Sequence, residues 1–210
     1  MPSLIDTKKK IQATKNTKKI TKAMQMVAAS KMNAFQRKSG AVRIYSSKLL
    51  EALRLCGTSL MDTPYAVNRE DGKTLFILMT SDKGLCGAMN NTLIRTLFRS
   101  DDWTSLTDDQ RELLTVGRKA TESARAQGIE LLDSFTGVPE EMTPLDSLNV
   151  ISKVMERWDS EEVKRVVLIA PEYVNPFVFN VRMRDYLPLT SDRVKESLHQ
   201  RNGTNEEEKE

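Results

Sequence analysis

Between Pro2 and Pro64 the chain has no proline, and its apolar residues recur at steps of three and four. Met24, Val27, Phe35, Val42, Tyr45, Leu49, Leu53, Cys56 and Leu60 form a seam, interrupted by Lys31 and Lys38. That period is helical, with Gly40 as a weak point. The spacing predicts one helix over residues 2–61, opened by Pro2 and Ser3 and ended at Pro64. At 1.5 Å per residue, about 58 helical residues would run roughly 87 Å, far beyond the width of a domain built from the remaining residues. Packing, rather than propensity, stabilises a helix of this kind. The seam therefore asks for a partner helix in a coiled coil.

Charge is divided as unevenly as length. Residues 1–50 hold twelve Lys or Arg and a single acid, Asp6, whereas the other 160 residues hold 20 basic and 28 acidic side chains. In "KNTKKITKAMQMVAASKM" (15–32), Lys15, Lys18, Lys19 and Lys22 share one helical face, and Ile20, Met24 and Val27 lie roughly opposite. Such polarity points to an acidic surface as the partner of the N-terminal helix. A solvated face is the ordinary reading of a charge run, but here the acids that would interleave it are missing. Nucleic acid would favour arginine and aromatics among the lysines, and no aromatic residue precedes Phe35. A membrane surface would favour larger apolar anchors than Ile20, Met24 and Val27. Small residues around one flexible Met suit a helix turning inside a close protein sleeve.

Several function classes lose their raw material. The two cysteines, Cys56 and Cys86, make neither a disulfide framework nor a metal cluster, and a reducing compartment follows. The one histidine, His199, stands near a polar tail, so histidine-based catalysis is not expected. No run of 18 apolar residues offers a membrane span, and the lysine-rich start has no secretory apolar core.

After Pro64 the pattern changes to alternating strand and helix. Strands are predicted at 74–81, 112–117, 129–135, 163–175 and 176–189, the last a half-exposed or edge strand. Helices are predicted at 87–100, 118–128 and 143–160. Asp101, Asp102, Asp108 and Asp109 read as a solvated loop. This predicts an α/β protein: a long N-terminal coiled-coil helix (1–61), a Rossmann-like globular domain of about five strands with helices on both faces (62–190), and a polar, disordered tail (191–210).

The one loop with a chemical reading is "TSDKGLCGAMN" (80–90). It leaves a strand and enters a helix, where α/β proteins hold phosphates, and Gly84 and Gly87 would allow close backbone approach. It matches neither phosphate-loop pattern, and Leu85 and Cys86 stand between the glycines. The favoured reading is structural: Ser81, Asp82, Gly84 and Gly87 form a strand-to-helix turn, with Gly87 letting the helix pack on the sheet. Cys86 has no histidine nearby in sequence to activate it.

"NTKKITKAMQMVAASKM" resembles the N-terminal helix of the gamma subunit of F-type ATP synthase, and "TSDKGLCGAMN" resembles a second motif of that family. "VGRKATESARAQG" and "VNPFVFNVRMRDYLPL" are similar to it more loosely, so the likeness spans residues 1–190. It implies a central rotor shaft, non-catalytic and without cofactor, that couples proton or sodium-ion flow to ATP synthesis. The N-terminal helix would lie inside a ring of alpha and beta subunits, and the α/β domain would stand beside the epsilon subunit and the ring of c subunits. Lys18, Lys19, Lys22, Met24 and Val27 would meet the alpha/beta hexamer. The setting implied is peripheral, on the cytoplasmic face of a bacterial inner membrane or the matrix or stromal face in an organelle, with no nucleic-acid partner. The family's C-terminal helix has no counterpart here. A truncated gene, a separate chain supplying that helix, and a gamma-like protein with a non-rotary binding or regulatory role all remain open. The alternative class is a small α/β nucleotide-binding enzyme.

Overall fold

The structure, a computed structural model, describes residues 3–56, 62–137, 144–175 and 178–190. The chain divides at Cys56 into two units.

The described residues of the first unit form one helix, α1 (Leu4–Cys56). Its start is capped reciprocally. The Ser3 hydroxyl accepts from the Ile5 N–H at 3.2 Å, and the Asp6 carboxylate accepts from the Ser3 N–H at 3.3 Å. The helix runs unbroken through Gly40. None of its described side chains is buried. The expected end near residue 61 lies outside the described residues, as does the tail 191–210.

The second unit is a five-stranded sheet: β1 (Lys73–Met79), β2 (Arg111–Val116), β3 (Asp133–Phe135), β4 (Val163–Asn175) and β5 (Val178–Leu187). The spatial order is β3-β2-β1-β4-β5. The first four strands are parallel, and β5 pairs antiparallel with β4 at the edge. Helices α2 (Met89–Phe98), α3 (Asp101–Thr104), α4 (Arg118–Ala126) and α5 (Pro144–Asp159) form the crossovers. This is the expected α/β architecture with helices on both faces.

The strand period of two sorts the core into two layers. Phe76 and Leu78 of β1 join Leu93, Leu97, Trp103, Ala120 and Ala124 under α2, α3 and α4. Leu75 and Ile77 join Val154, Trp158 and Leu187 under α5. The Trp103 ring meets Phe76 and Phe98 edge-on, with centroids 5.2 Å apart in both pairs. Successive crossovers β1–α2–β2 and β2–α4–β3 build outward on one face. The β3–α5–β4 crossover then returns past β1 on the other, so the order reverses between β1 and β4.

Two expectations need correction. Strand β3 occupies three residues rather than the predicted 129–135, because only Leu114–Val116 of β2 pair with it. Asp101 and Asp102 open α3, where the Ser100 hydroxyl accepts from the Trp103 N–H at 3.2 Å. The four aspartates are not simply a solvated loop either: Asp102 pairs with Arg165 at 2.6 Å and Asp108 with Arg111 at 2.5 Å.

Candidate functional site

Two regions carry the residues singled out in the sequence: the basic half of α1, and the loop between β1 and α2. Each belongs to a different unit.

On α1, Lys18, Lys19 and Lys22 are exposed, and no ion pair holds them among the described residues. Asp6 is the only acid before Glu51, so the sequence offers the lysines almost no local acceptor. Met24 and Val27 are 56% and 57% exposed on the other side of the helix. Among the described residues, nothing covers this surface of four lysines on one side and exposed apolar side chains on the other. Leaving such groups in water gains nothing from burial, whereas an acidic partner with an apolar lining would satisfy both faces.

The β1–α2 loop is built differently, since its own chain consumes its polar groups. The Ser81 N–H donates to the Asn90 side-chain oxygen at 3.1 Å. The Asn90 amide donates to the Ser81 hydroxyl at 2.9 Å and to the Cys86 sulfur at 3.1 Å. Asp82 reaches across to the next strand-to-helix turn, where its Oδ1 accepts from the Arg118 N–H at 2.7 Å. The Ser81 carbonyl accepts from the Lys119 N–H at 3.3 Å, and the Gly117 carbonyl from the Thr121 N–H at 3.3 Å. The Thr80 hydroxyl accepts from the Ala120 N–H at 2.8 Å.

These bonds settle where the first-turn donors of α4 go. A helix N-terminus binds phosphate because its first N–H groups lack partners. In α4 all four point at oxygens of this chain, one of them a carboxylate that already supplies the negative charge the helix dipole favours.

The glycines divide by role. A Cβ at Gly84 would meet nothing within 4 Å, so no part of its own domain packs close against it. Gly87 likewise has open space around it but holds φ at +60°, so it serves the turn by conformation rather than by helix-to-sheet packing. Leu85 between them also has positive φ, +65°, with a fully exposed side chain. The tightest approach among the described glycines is at Gly117, where a Cβ would stand 2.1 Å from the Thr80 carbonyl oxygen. Sequence reasoning passed over Gly117, although its place between a strand and a helix in "TVGRKA" was the available signal. No group of three or more metal-ligating side chains occurs among the described residues. Nor is any described helix long and apolar enough to cross a membrane.

The family described as ATP synthase matches residues 3–210. The ATP synthase gamma chain of Nitrosococcus oceani is 31% identical over 210 residues, covering 96% of this chain and 71% of that one. The gamma chain of Chlorobaculum tepidum is 33% identical over 199 residues, covering 91% and 68%. The fold is shared with a chain in the structure of the Tetrahymena thermophila mitochondrial ATP synthase central stalk and c-ring. That likeness has a TM-score of 0.58 at 24% identity and covers 80% of this chain and 72% of that one. From its sequence match and its fold together, the chain belongs to the gamma-chain family of ATP synthase.

Proposed function

We propose that this chain acts as the central shaft of a rotary ATP synthase, coupling proton or sodium-ion flow through a membrane ring to ATP synthesis. Residues 1–61 form the shaft and residues 62–190 its foot. The observation that carries the reading is α1 itself: a helix of 53 residues with lysines on one face, apolar residues on the other and no buried side chain among those described. In its basic half, Lys18, Lys19 and Lys22 face acidic segments of the alpha/beta hexamer, while Met24 and Val27 lie against its apolar lining. The electrostatic contact is non-directional and yields to rotation, whereas a fixed hydrogen-bonded fit would lock the shaft. The foot meets the epsilon subunit and the c-ring, which places the chain peripherally on the cytoplasmic, matrix or stromal side. Nucleotide chemistry belongs to the beta subunits, in keeping with the self-satisfied α4 N-terminus. The loop of Ser81, Asp82, Gly84 and Gly87 serves as a structural turn that joins two helix starts.

The test is ATP synthesis by membrane vesicles carrying the triple variant Lys18→Glu, Lys19→Glu, Lys22→Glu. Synthesis should drop while the complex still assembles. Wild-type coupled synthesis in an assembled variant complex would refute the role given to these lysines. Native mass spectrometry of the complex should show this chain with alpha, beta and epsilon subunits.

A further inference from the structure

The α/β domain has a second unfinished surface, on the opposite unit from the lysine helix. Ten arginines lie between residues 62 and 190. Six are committed to their own domain. Arg69 stacks over Trp158, and Arg111 pairs with Asp108. Arg157 pairs with Glu162 and Arg165 with Asp102 and Asp185. Arg182 and Arg184 share Glu172. The other four, Arg95, Arg99, Arg118 and Arg125, are exposed, and their guanidinium groups have no acceptor among the described residues. All four belong to α2, its C-cap or α4. Those two helices carry one acid, Glu122, which is taken by Lys119 at 2.8 Å. Yet the domain as a whole is acidic, with 15 basic and 21 acidic residues over 62–190. Positive charge has been gathered onto one face.

Between the two helices runs an open groove of about 630 Å³. Half-buried Ile94 and Phe98 give it an apolar floor, Arg95 and Arg99 stand one helical turn apart on one wall, and Lys119 and Gln127 stand on the other. We propose that this groove docks an acidic, amphipathic peptide segment of a partner protein. One apolar side chain would seat on Ile94 and Phe98, and two carboxylates would take the forked donors of Arg95 and Arg99. Paired guanidinium groups at one-turn spacing suit carboxylates arranged in fork geometry. The apolar floor favours a peptide over a nucleic-acid backbone, which would leave Ile94 and Phe98 unused.

The probe is a synthetic 16-residue peptide with Leu along one helical face and Glu elsewhere, added to the full chain. Because the lysines of α1 also attract acid, the readout must be local. A benzophenone amino acid at Gln127 reports the groove, and one at Ile20 reports α1. The Gln127 crosslink should saturate, and Arg95→Glu with Arg99→Glu should weaken its half-saturation at least about tenfold. The Ile20 crosslink should not change. The milder pair Arg95→Gln and Arg99→Gln should weaken it less, and both pairs should keep the wild-type circular dichroism because both side chains are exposed. A polyglutamate peptide without leucine should bind the groove more weakly. Absence of the Gln127 crosslink would overturn the proposal, as would indifference to charge reversal. Preferential displacement of the peptide by phosphatidylglycerol vesicles or duplex DNA would do so in favour of a lipid or nucleic-acid surface. None of these outcomes bears on ATP synthesis by the lysine variants, so the two readings fail separately.

Discussion

The Asp82 carboxylate and the Arg118 backbone N–H, 36 positions apart in sequence, meet at 2.7 Å and join the loops after β1 and β2. That bond caps α4 from a neighbouring loop, because Gly117 at its N-cap position has no side chain to do so. Asp82→Ala should destabilise the chain by about 0.5–2 kcal/mol, the range for lost N-caps. Asp82→Asn keeps an acceptor oxygen and should cost less. Urea denaturation of the three proteins measures the order, and an Asn variant weaker than the Ala variant would contradict the capping role.

Gly117 and Gly84 should respond very differently to the same change. A methyl at Gly117 would collide with the Thr80 carbonyl at 2.1 Å, on a backbone held at φ +96°. Gly117→Ala should cost roughly 3 kcal/mol or more, the upper end for overpacking. Gly84→Ala meets open space and should stay within about 0.5 kcal/mol of wild type. Gly87→Ala, strained only by its φ of +60°, should fall between, near 1 kcal/mol. Thermal melts of the three variants rank them directly.

Glu112 predicts a pH dependence. Burial pushes its carboxyl upward, but hydrogen bonds and charge from Arg157 and Lys73 outweigh that and leave it below its ordinary value of 4.5. A carboxylate with a depressed folded pKa stabilises the fold fully above its unfolded pKa. That contribution shrinks as pH falls below about 4.5 and is gone beneath the folded value. Glu112→Gln should therefore be less stable than wild type at pH 7, with the gap narrowing on acidification below pH 4.5. Denaturant midpoints from pH 7 down to pH 3 show whether the two curves converge.

Arg69 ties the segment before β1 to α5. It lies 4.1 Å from the Trp158 ring centroid and donates to the Trp158 and Val163 carbonyls at 2.8 Å each. Both bonds leave Nη1, so what lysine lacks is the planar guanidinium that stacks on the ring while it donates, and Arg69→Lys should lose about 1–3 kcal/mol. Quenching or a red shift of the Trp158 emission in the folded variant would accompany it. Wild-type stability in Arg69→Lys would show that the stacked guanidinium contributes nothing.

The long helix and the alternating strands and helices were legible in the residues because their causes are local. Steps of three and four mark α1, apolar runs mark β1 and β4, and alternation marks β5 as an edge strand, each present over the described residues. A capping residue or a side-chain period needs only neighbours along the chain. The family motifs were equally plain, since they are contiguous. Charge segregation on α1 was visible as a count.

Tertiary structure alone decided the rest, since those features depend on residues brought together from a distance. Nothing around Asp82 announces that it caps a helix beginning at Arg118, and nothing around Gly117 announces the Thr80 carbonyl against it. The length of β3 was set by how much of β2 it could pair with, not by its own apolar run. The groove of Arg95 and Arg99 became visible only once six of the domain's other arginines had found their partners. Local pattern determines which elements form. Long-range pairing determines which polar groups are consumed and which remain for a partner.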